Sequence, residues 1–134
     1  MTTPNVHAVA ERLVAYLETG TPAQAVFTDD VFLDFTMPCW RLQAEGLDAA
    51  LALRRRGHPM PGHVPRWRVD PTPGGFVIEL EERWTDADSD WYCREMMRAQ
   101  LRGESICALS VYCTGDWDTK RQAEHRAQVR LSRP

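Results

Sequence analysis

The chain is almost without lysine: fifteen arginines and the single Lys120 carry its positive charge against nineteen acidic residues, for a net charge of −3 over 134 residues. That balance supplies no broad cationic surface, which excludes the usual electrostatic basis of nucleic-acid binding. The arginine bias suggests a GC-rich bacterial genome. No apolar run approaches the length needed to cross a bilayer, and the opening Met1-Thr2-Thr3-Pro4-Asn5 lacks the basic start and apolar stretch of a secretory leader. A cytoplasmic location is the corresponding expectation. Cys39, Cys93, Cys107 and Cys113 show no Cys-x-x-Cys spacing, which argues against a zinc ribbon or a thioredoxin-type redox pair and predicts reduced thiols. No repeat or low-complexity segment is present.

What remains is an ordinary globular composition, 43% hydrophobic with five tryptophans and only 26% charged residues. One domain spanning 1–134 fits this length, with a core over about 6–118 and a C-terminal extension over 119–134. A first helix is capped by Thr3, has Pro4 at its first position, carries an apolar stripe through Val9, Leu13 and Leu17, and stops at Gly20. Thr21 and Gln24 stand at capping-box spacing and predict a short second helix to about Phe27. Val31–Met37 reads as a strand broken at Pro38, with Cys39–Leu42 an extended continuation or loop, and Gly46–Arg56 as a helix. The basic run Arg54-Arg55-Arg56 reads as a favourable charge on that helix's C-terminal dipole. Three prolines make 58–65 a loop. Arg66–Asp70 is a strand, a hairpin follows, Ser105–Thr114 is a last long strand, Thr119–Gln128 looks helical, and Val129–Leu131 returns as a short extended piece. Helices first and an antiparallel meander last make an α+β layout.

The hairpin carries the functional signal. Period-two alternation groups Phe76, Ile78, Leu80, Glu82 and Trp84 on one face of its first strand, and Trp91, Cys93, Glu95, Met97, Ala99 and Leu101 on one face of its second. Each apolar face therefore contains one glutamate. If Trp84 pairs with Cys93, the two carboxylates lie opposite; if Trp84 pairs with Trp91, they lie diagonally. A buried carboxylate neutralises, finds a cation, or does chemistry. Pairing with arginine in a purely structural network is the competing account, and Arg41 is a plausible counter-charge. Asp34, which alternates away from Leu33, Phe35 and Met37, suits a pairing with arginine or a partner subunit.

The element order, with the phrases Phe27-Thr28-Asp29-Asp30-Val31-Phe32-Leu33, Met37-Pro38 followed by Gly46-Leu47-Asp48-Ala49-Ala50, and Gly103 leading into Ile106, resembles the nuclear-transport-factor-2-like superfamily. Within it the chain looks most like the SnoaL-like group, which includes polyketide cyclases and is related to ketosteroid isomerases and limonene-epoxide hydrolases. The resemblance implies a cone-shaped, curved, mostly antiparallel sheet wrapped around the N-terminal helices, a ligand-sized pocket, and a homodimer. The aspartate base of the ketosteroid isomerases is replaced here by Met37, and their helix-one tyrosine falls at Leu13, one turn before Tyr16. Their second acid falls on or near Glu95. The acidic group near the end of the last strand in the SnoaL-like cyclases corresponds to Asp116, with Asp118 a second choice. By the same comparison Ala108, Ser110, Tyr112 and Thr114 point inward.

The expected site thus has Glu95, Glu82, Asp116 and Tyr112 as catalytic groups, with Trp40, Trp67, Trp84 and Met97 lining the pocket and His63 at its mouth. Two carboxyls in a dry pocket oppose each other's ionisation, so one holds a proton while the other is a base. Such a pair moves protons next to a carbonyl, with Tyr112 bonding the enolate, and needs no cofactor and no metal; His58 and His63 with Asp116 are conceivable metal ligands, but spacing alone is a weak signal and surface-loop histidines are common. No Asp-Arg-Asp relay for opening an epoxide is apparent. The implied function is a cyclase, isomerase or dehydratase acting on a hydrophobic carbonyl compound, in keeping with bacterial secondary metabolism. The alternative is a non-catalytic binding or dimerisation domain, in which the glutamates are salt-bridged and the cone is filled by tryptophan.

Overall fold

The computed structural model describes residues 4–58 and 61–134. Helix α1 (Val6–Thr19) is capped by Asn5, whose side chain accepts from the Ala8 amide, and it ends on the left-handed Gly20. The expected Thr3 cap lies outside the described residues, and Pro4 precedes the helix rather than opening it. The stripe Val9, Ala10, Leu13, Val14 and Leu17 is buried as its spacing requires.

No helix forms between Thr21 and Phe27. Ala25 sits at φ +64°, outside the helical basin, and the fully buried Val26 accepts a backbone hydrogen bond from Ile106. Sheet pairing overrides a capping signal worth about 1 kcal/mol. Strand β1 accordingly starts early, at Phe27, and runs to Met37. A two-residue turn, Pro38-Cys39, joins it to β2 (Trp40–Glu45), with Met37 opposite Trp40. Helix α2 (Leu47–Gly57) follows, then β3 (Gly62–His63), a two-residue strand inside the stretch expected to be loop, and β4 (Trp67–Thr72). The meander is completed by β5 (Gly75–Thr85), β6 (Asp90–Arg102) and β7 (Ser105–Cys113). Helix α3 (Thr119–Gln128) is capped by Asp118 and buries none of its residues. Asp118 is thereby a structural cap, not a site acid, and Val129–Leu131 is exposed and outside any strand.

The seven strands form one sheet in the order β2-β1-β7-β6-β5-β3, with β4 also pairing with β5. Every pairing is antiparallel except β1 with β7. The inner face buries Phe76, Ile78, Leu80 and Met97, all at most 1% exposed, in one core with the α1 stripe.

The inward face of β7 is the reverse of the expected one. Leu101 pairs with Ile106 but Gln100 pairs with Ala108, so Cys107 is an extra residue on β7. This bulge flips the alternation beyond it. Ile106, Leu109 and Val111 are buried, while Tyr112 is 58% exposed on the outer face beside Met96.

Cys39 occupies the β1–β2 turn at φ +60°, a conformation that costs a residue with a Cβ about 1–2 kcal/mol and glycine almost nothing. Part of this is offset by glycine's larger unfolded-state entropy. Cys39→Gly is therefore expected to stabilise the fold by about 0.5–1 kcal/mol, read as an upward shift of the urea midpoint at unchanged slope.

Candidate functional site

Strands β5 and β6 pair with Trp84 opposite Trp91, Glu82 opposite Cys93 and Leu80 opposite Glu95. The diagonal register holds, and Glu82 and Glu95 are each only 3% exposed. Their environments are unequal. Glu82 receives a two-pronged ion pair from Arg54, with Nη1 to Oε2 at 3.0 Å and Nη2 to Oε1 at 2.5 Å, and Nη2 also donates to the Leu17 carbonyl at 3.0 Å. Glu95 receives no cation. Its Oε1 lies 3.7 Å from the Cys93 thiol, and its Oε2 is sealed from solvent with no donor among the described residues.

The protonation pattern follows from this asymmetry. Burial pushes Glu82 upward, but a hydrogen bond from Glu95 and the Arg54 charge more than offset it and hold the carboxyl down at about 2. Burial, and then the Glu82 charge, raise Glu95 well above the usual carboxylate range. One proton shared between the two carboxyls thus resides on Glu95, and Glu82 with Arg54 forms a closed ion pair behind it.

Glu95 lines an apolar cavity of about 380 Å³. Val31, Leu33, Phe35 and Met37 on β1, Leu42 on β2, and Leu109 and Val111 on β7 form one wall; Ala50, Leu51 and Leu53 of α2 form another. Apart from Glu95 and Arg54, the polar lining consists of Tyr16, Arg56 and His58. Tyr16 is 5% exposed, its hydroxyl makes no side-chain hydrogen bond among the described residues, and burial raises its pKa. The His58 ring packs against Trp84 at 4.1 Å between centroids. Burial, then the Arg54 charge, lowers His58 to about 4, so it is a neutral imidazole near pH 7.

Of the expected site residues, Glu95 and Met97 line this cavity. Glu82 lies directly behind, and Trp84 supports His58 from β5. Asp116 has a carboxylate oxygen within 4.8 Å of both His58 and Cys93 donor atoms, and burial, then Glu82, raise it. Four expectations fail on position. Tyr112 is turned outward by the β7 bulge. Trp40 belongs to the row that includes Leu42, but at the turn it is 64% exposed and does not line the cavity. Trp67 packs between the core and His7, at 5.2 Å between rings. His63 is exposed and pairs with Glu18 at 3.0 Å rather than guarding a mouth. Arg41 spends its guanidinium on Asp34, at 2.8 and 2.6 Å. That satisfies the expected arginine pairing of Asp34 and removes Arg41 as a counter-charge.

Sequence reading took Arg54 only as a charge on the helix dipole, and His58 only as a weak metal-ligand candidate beside His63 and Asp116. Arg54 was legible: Leu47, Ala50, Leu51 and Arg54 fall at i, i+3, i+4 and i+7, so this arginine continues the apolar face of α2. His58 had no such signal. Two donor sets could be considered for a metal ion, His58 with Cys93 and Asp116, and Cys93 with Glu95 and Cys113. Both share Cys93, whose thiol is pushed up by its hydrogen bond to Cys113 and by burial.

Among solved structures the backbone superposes on an NTF2-like protein from Anabaena variabilis with a TM-score of 0.69 at 19% identity, covering 87% of this chain and 96% of that one. The chain has the NTF2-like fold. The same fold is found in a hypothetical Catenulispora acidiphila protein with a ketosteroid-isomerase-like fold, in complex with trimethylamine (TM-score 0.63, 15% identity, 84% of this chain and 88% of that one). It is also found in an LEH-like epoxide hydrolase from M. tuberculosis (TM-score 0.57, 11% identity, 79% and 80%). No family model matches the sequence, and no curated protein matches it. Proteins with the NTF2-like fold thus include an epoxide hydrolase and a putative isomerase from Bacillus subtilis. No helix among the described residues is long and apolar enough to cross a membrane.

Two outcomes follow for stability. Arg54→Met leaves Glu82 buried without its cation and is expected to cost about 3–5 kcal/mol at pH 7 by urea unfolding. Because Glu82 is depressed in the fold, its contribution is present above the unfolded value of 4.5 and is lost as pH falls toward 2. The penalty of the variant therefore shrinks across that window. His58 is likewise lowered, from 6.5 to about 4, so its neutral form costs nothing above 6.5 and destabilises progressively on acidification to about 4, by up to ~3 kcal/mol. His58→Gln should flatten the stability profile between those pH values, and an unchanged slope would reject the buried-imidazole assignment.

Proposed function

We propose that the chain is a cofactor-independent acid/base enzyme of the cyclase, isomerase or dehydratase type, acting on a hydrophobic carbonyl compound. The observation that carries this reading is Glu95: a carboxyl without a counter-cation, held protonated by its neighbour, in the lining of an apolar cavity. A structural glutamate has its cation, as Glu82 does. Glu95 has none, although Arg54 is close enough to lower its proton affinity in part.

In this reading a substrate fills the cavity with its carbonyl oxygen against Glu95. The neutral His58 removes a proton from the adjacent carbon as Glu95 delivers its proton to the oxygen, giving an enol. Ionised Glu95 beside ionised Glu82 is costly, so the proton returns readily, and His58 delivers its own to the new carbon position. Tyr16 supplies the hydroxyl at the developing oxyanion, the role that the outward-facing Tyr112 does not fill. Asp116, near His58, is assigned the part of orienting the imidazole. Membership in the SnoaL-like group and a polyketide-type substrate are the finer form of the same proposal. Its homodimer is assigned to the outer sheet face, where Met96 and Tyr112 stay exposed on adjacent strands.

Exchange of α-protons for deuterium is the minimal form of this chemistry. Wild type is expected to exchange the methyl protons of 2-acetylnaphthalene in deuterated buffer, followed by proton NMR, and Glu95→Gln is expected to slow this by about 10²–10⁴-fold with an unchanged circular dichroism spectrum. Binding of the ketone without exchange by wild type would favour the non-catalytic binding domain instead.

A further inference from the structure

The charges around the cavity leave one cation over. Of its lining residues, Arg54 is neutralised by Glu82, Glu95 carries a proton, His58 is neutral and Tyr16 is un-ionised. Arg56 is the exception. It is exposed while still lining the cavity, which puts it at the opening, in the last turn of α2. No carboxylate lies within salt-bridge distance of it among the described residues. Glu45 shares an outer groove with Arg56, and no ion pair joins them among the described residues.

The helix end does not account for this residue. A helix C-terminus carries roughly half a negative charge, and α2 places three arginines in its last turn. Arg54 is consumed by Glu82, and Arg55 lies on the outer groove without lining the cavity. Arg55 alone offsets the dipole, and Arg56 remains as net positive charge at the opening of an otherwise apolar cavity. Two ends of different character define an amphiphile: a hydrophobic body for the interior and an anionic group for the rim.

We propose that Arg56 selects substrates bearing a carboxylate at the end opposite the reacting carbonyl, so that the site takes hydrophobic keto acids in preference to neutral ketones. The assignment rests on the reading of the cavity as a substrate site, and Arg56 acts here as a specificity residue that touches the substrate's anionic end. A guanidinium suits this role because its fork engages a carboxylate with two parallel hydrogen bonds. At an exposed rim the gain is modest and screened by salt.

The test separates this proposal from the proposed chemistry by reading binding alone. Isothermal titration calorimetry at low ionic strength would compare 2-naphthoate with 2-acetylnaphthalene, matched in their apolar bodies, on wild type, Arg56→Gln, Arg56→Lys and the control Arg55→Gln. Wild type is expected to prefer the carboxylate by about two- to fivefold. Arg56→Gln should reduce that ratio to about one by weakening the carboxylate alone, Arg56→Lys should keep part of it, and Arg55→Gln should leave it in place. Equal affinity of the two ligands for wild type, a preference that survives Arg56→Gln, an equal loss in Arg55→Gln, or binding of neither ligand overturns the proposal. Failure of α-proton exchange with the carboxylate preference intact would reject the acid/base reading and leave this one standing.

Discussion

A glutamate that stays ionised in the sheet interior must be matched by a cation, and for Glu82 that cation has to come from another element. Glu82 sits on the inner face of β5 because its strand is set by Phe76, Ile78, Leu80 and Trp84, whose burial decides the register. Arg54 reaches it from α2 and bonds the last turn of α1 through the Leu17 carbonyl. One guanidinium therefore ties both long helices to the sheet. The tie also fixes where the cavity opens, since the α2 residues on either side of Arg54 form its wall and its rim.

The same pair sets the character of the site. With Glu82 held ionised, its neighbour on β6 cannot also ionise cheaply, and Glu95 keeps its proton in largely apolar surroundings. An isolated glutamate in this cavity would be raised by burial alone; the fixed negative charge behind it adds to that. In the proposed function, structural network and chemical group are two members of one arrangement: the carboxylate with a cation is the support and the one without is the reagent. Of the two accounts that competed at the level of sequence, arginine pairing holds for Glu82, and acid/base chemistry is proposed for Glu95 alone.

The fold leaves this arrangement accessible because the tryptophans do not fill the cone. Trp84 is packed against His58 and Trp91, Trp67 against α1, and Trp40 is exposed and does not line the cavity. The lining is built from Leu, Val, Phe and Met on β1, β2 and β7, residues short enough to leave the space that five tryptophans turned inward would have closed. His58 is kept neutral by the same dry surroundings and by the Arg54 charge.

Local periodicity determined much of this. Alternation on β5 and β6 placed both glutamates on the inner face, the stripe on α1 placed its buried side, and the mixture of element types indicated the α+β class, because each of these depends only on residues a few positions apart. Long-range pairing decided the rest. Whether Glu82 and Glu95 lay opposite or diagonal depended on a two-residue choice of register that both patterns tolerated. The capping-box signal at Thr21–Gln24 gave way to a sheet edge that Ile106 provides from the far end of the chain. On β7 a single extra residue, Cys107, reversed which side chains face inward and carried Tyr112 out of the site; apolar residues on both sides of the bulge hid the change of phase. Trp40 and His63 had suitable chemistry and the wrong location, which spacing along the chain does not encode. The identity of the counter-charge was the deepest of these decisions: many arginines were available, and only the packing of α2 against the sheet selected Arg54, because a buried carboxylate is satisfied by whichever cation the tertiary fold brings within hydrogen-bonding distance.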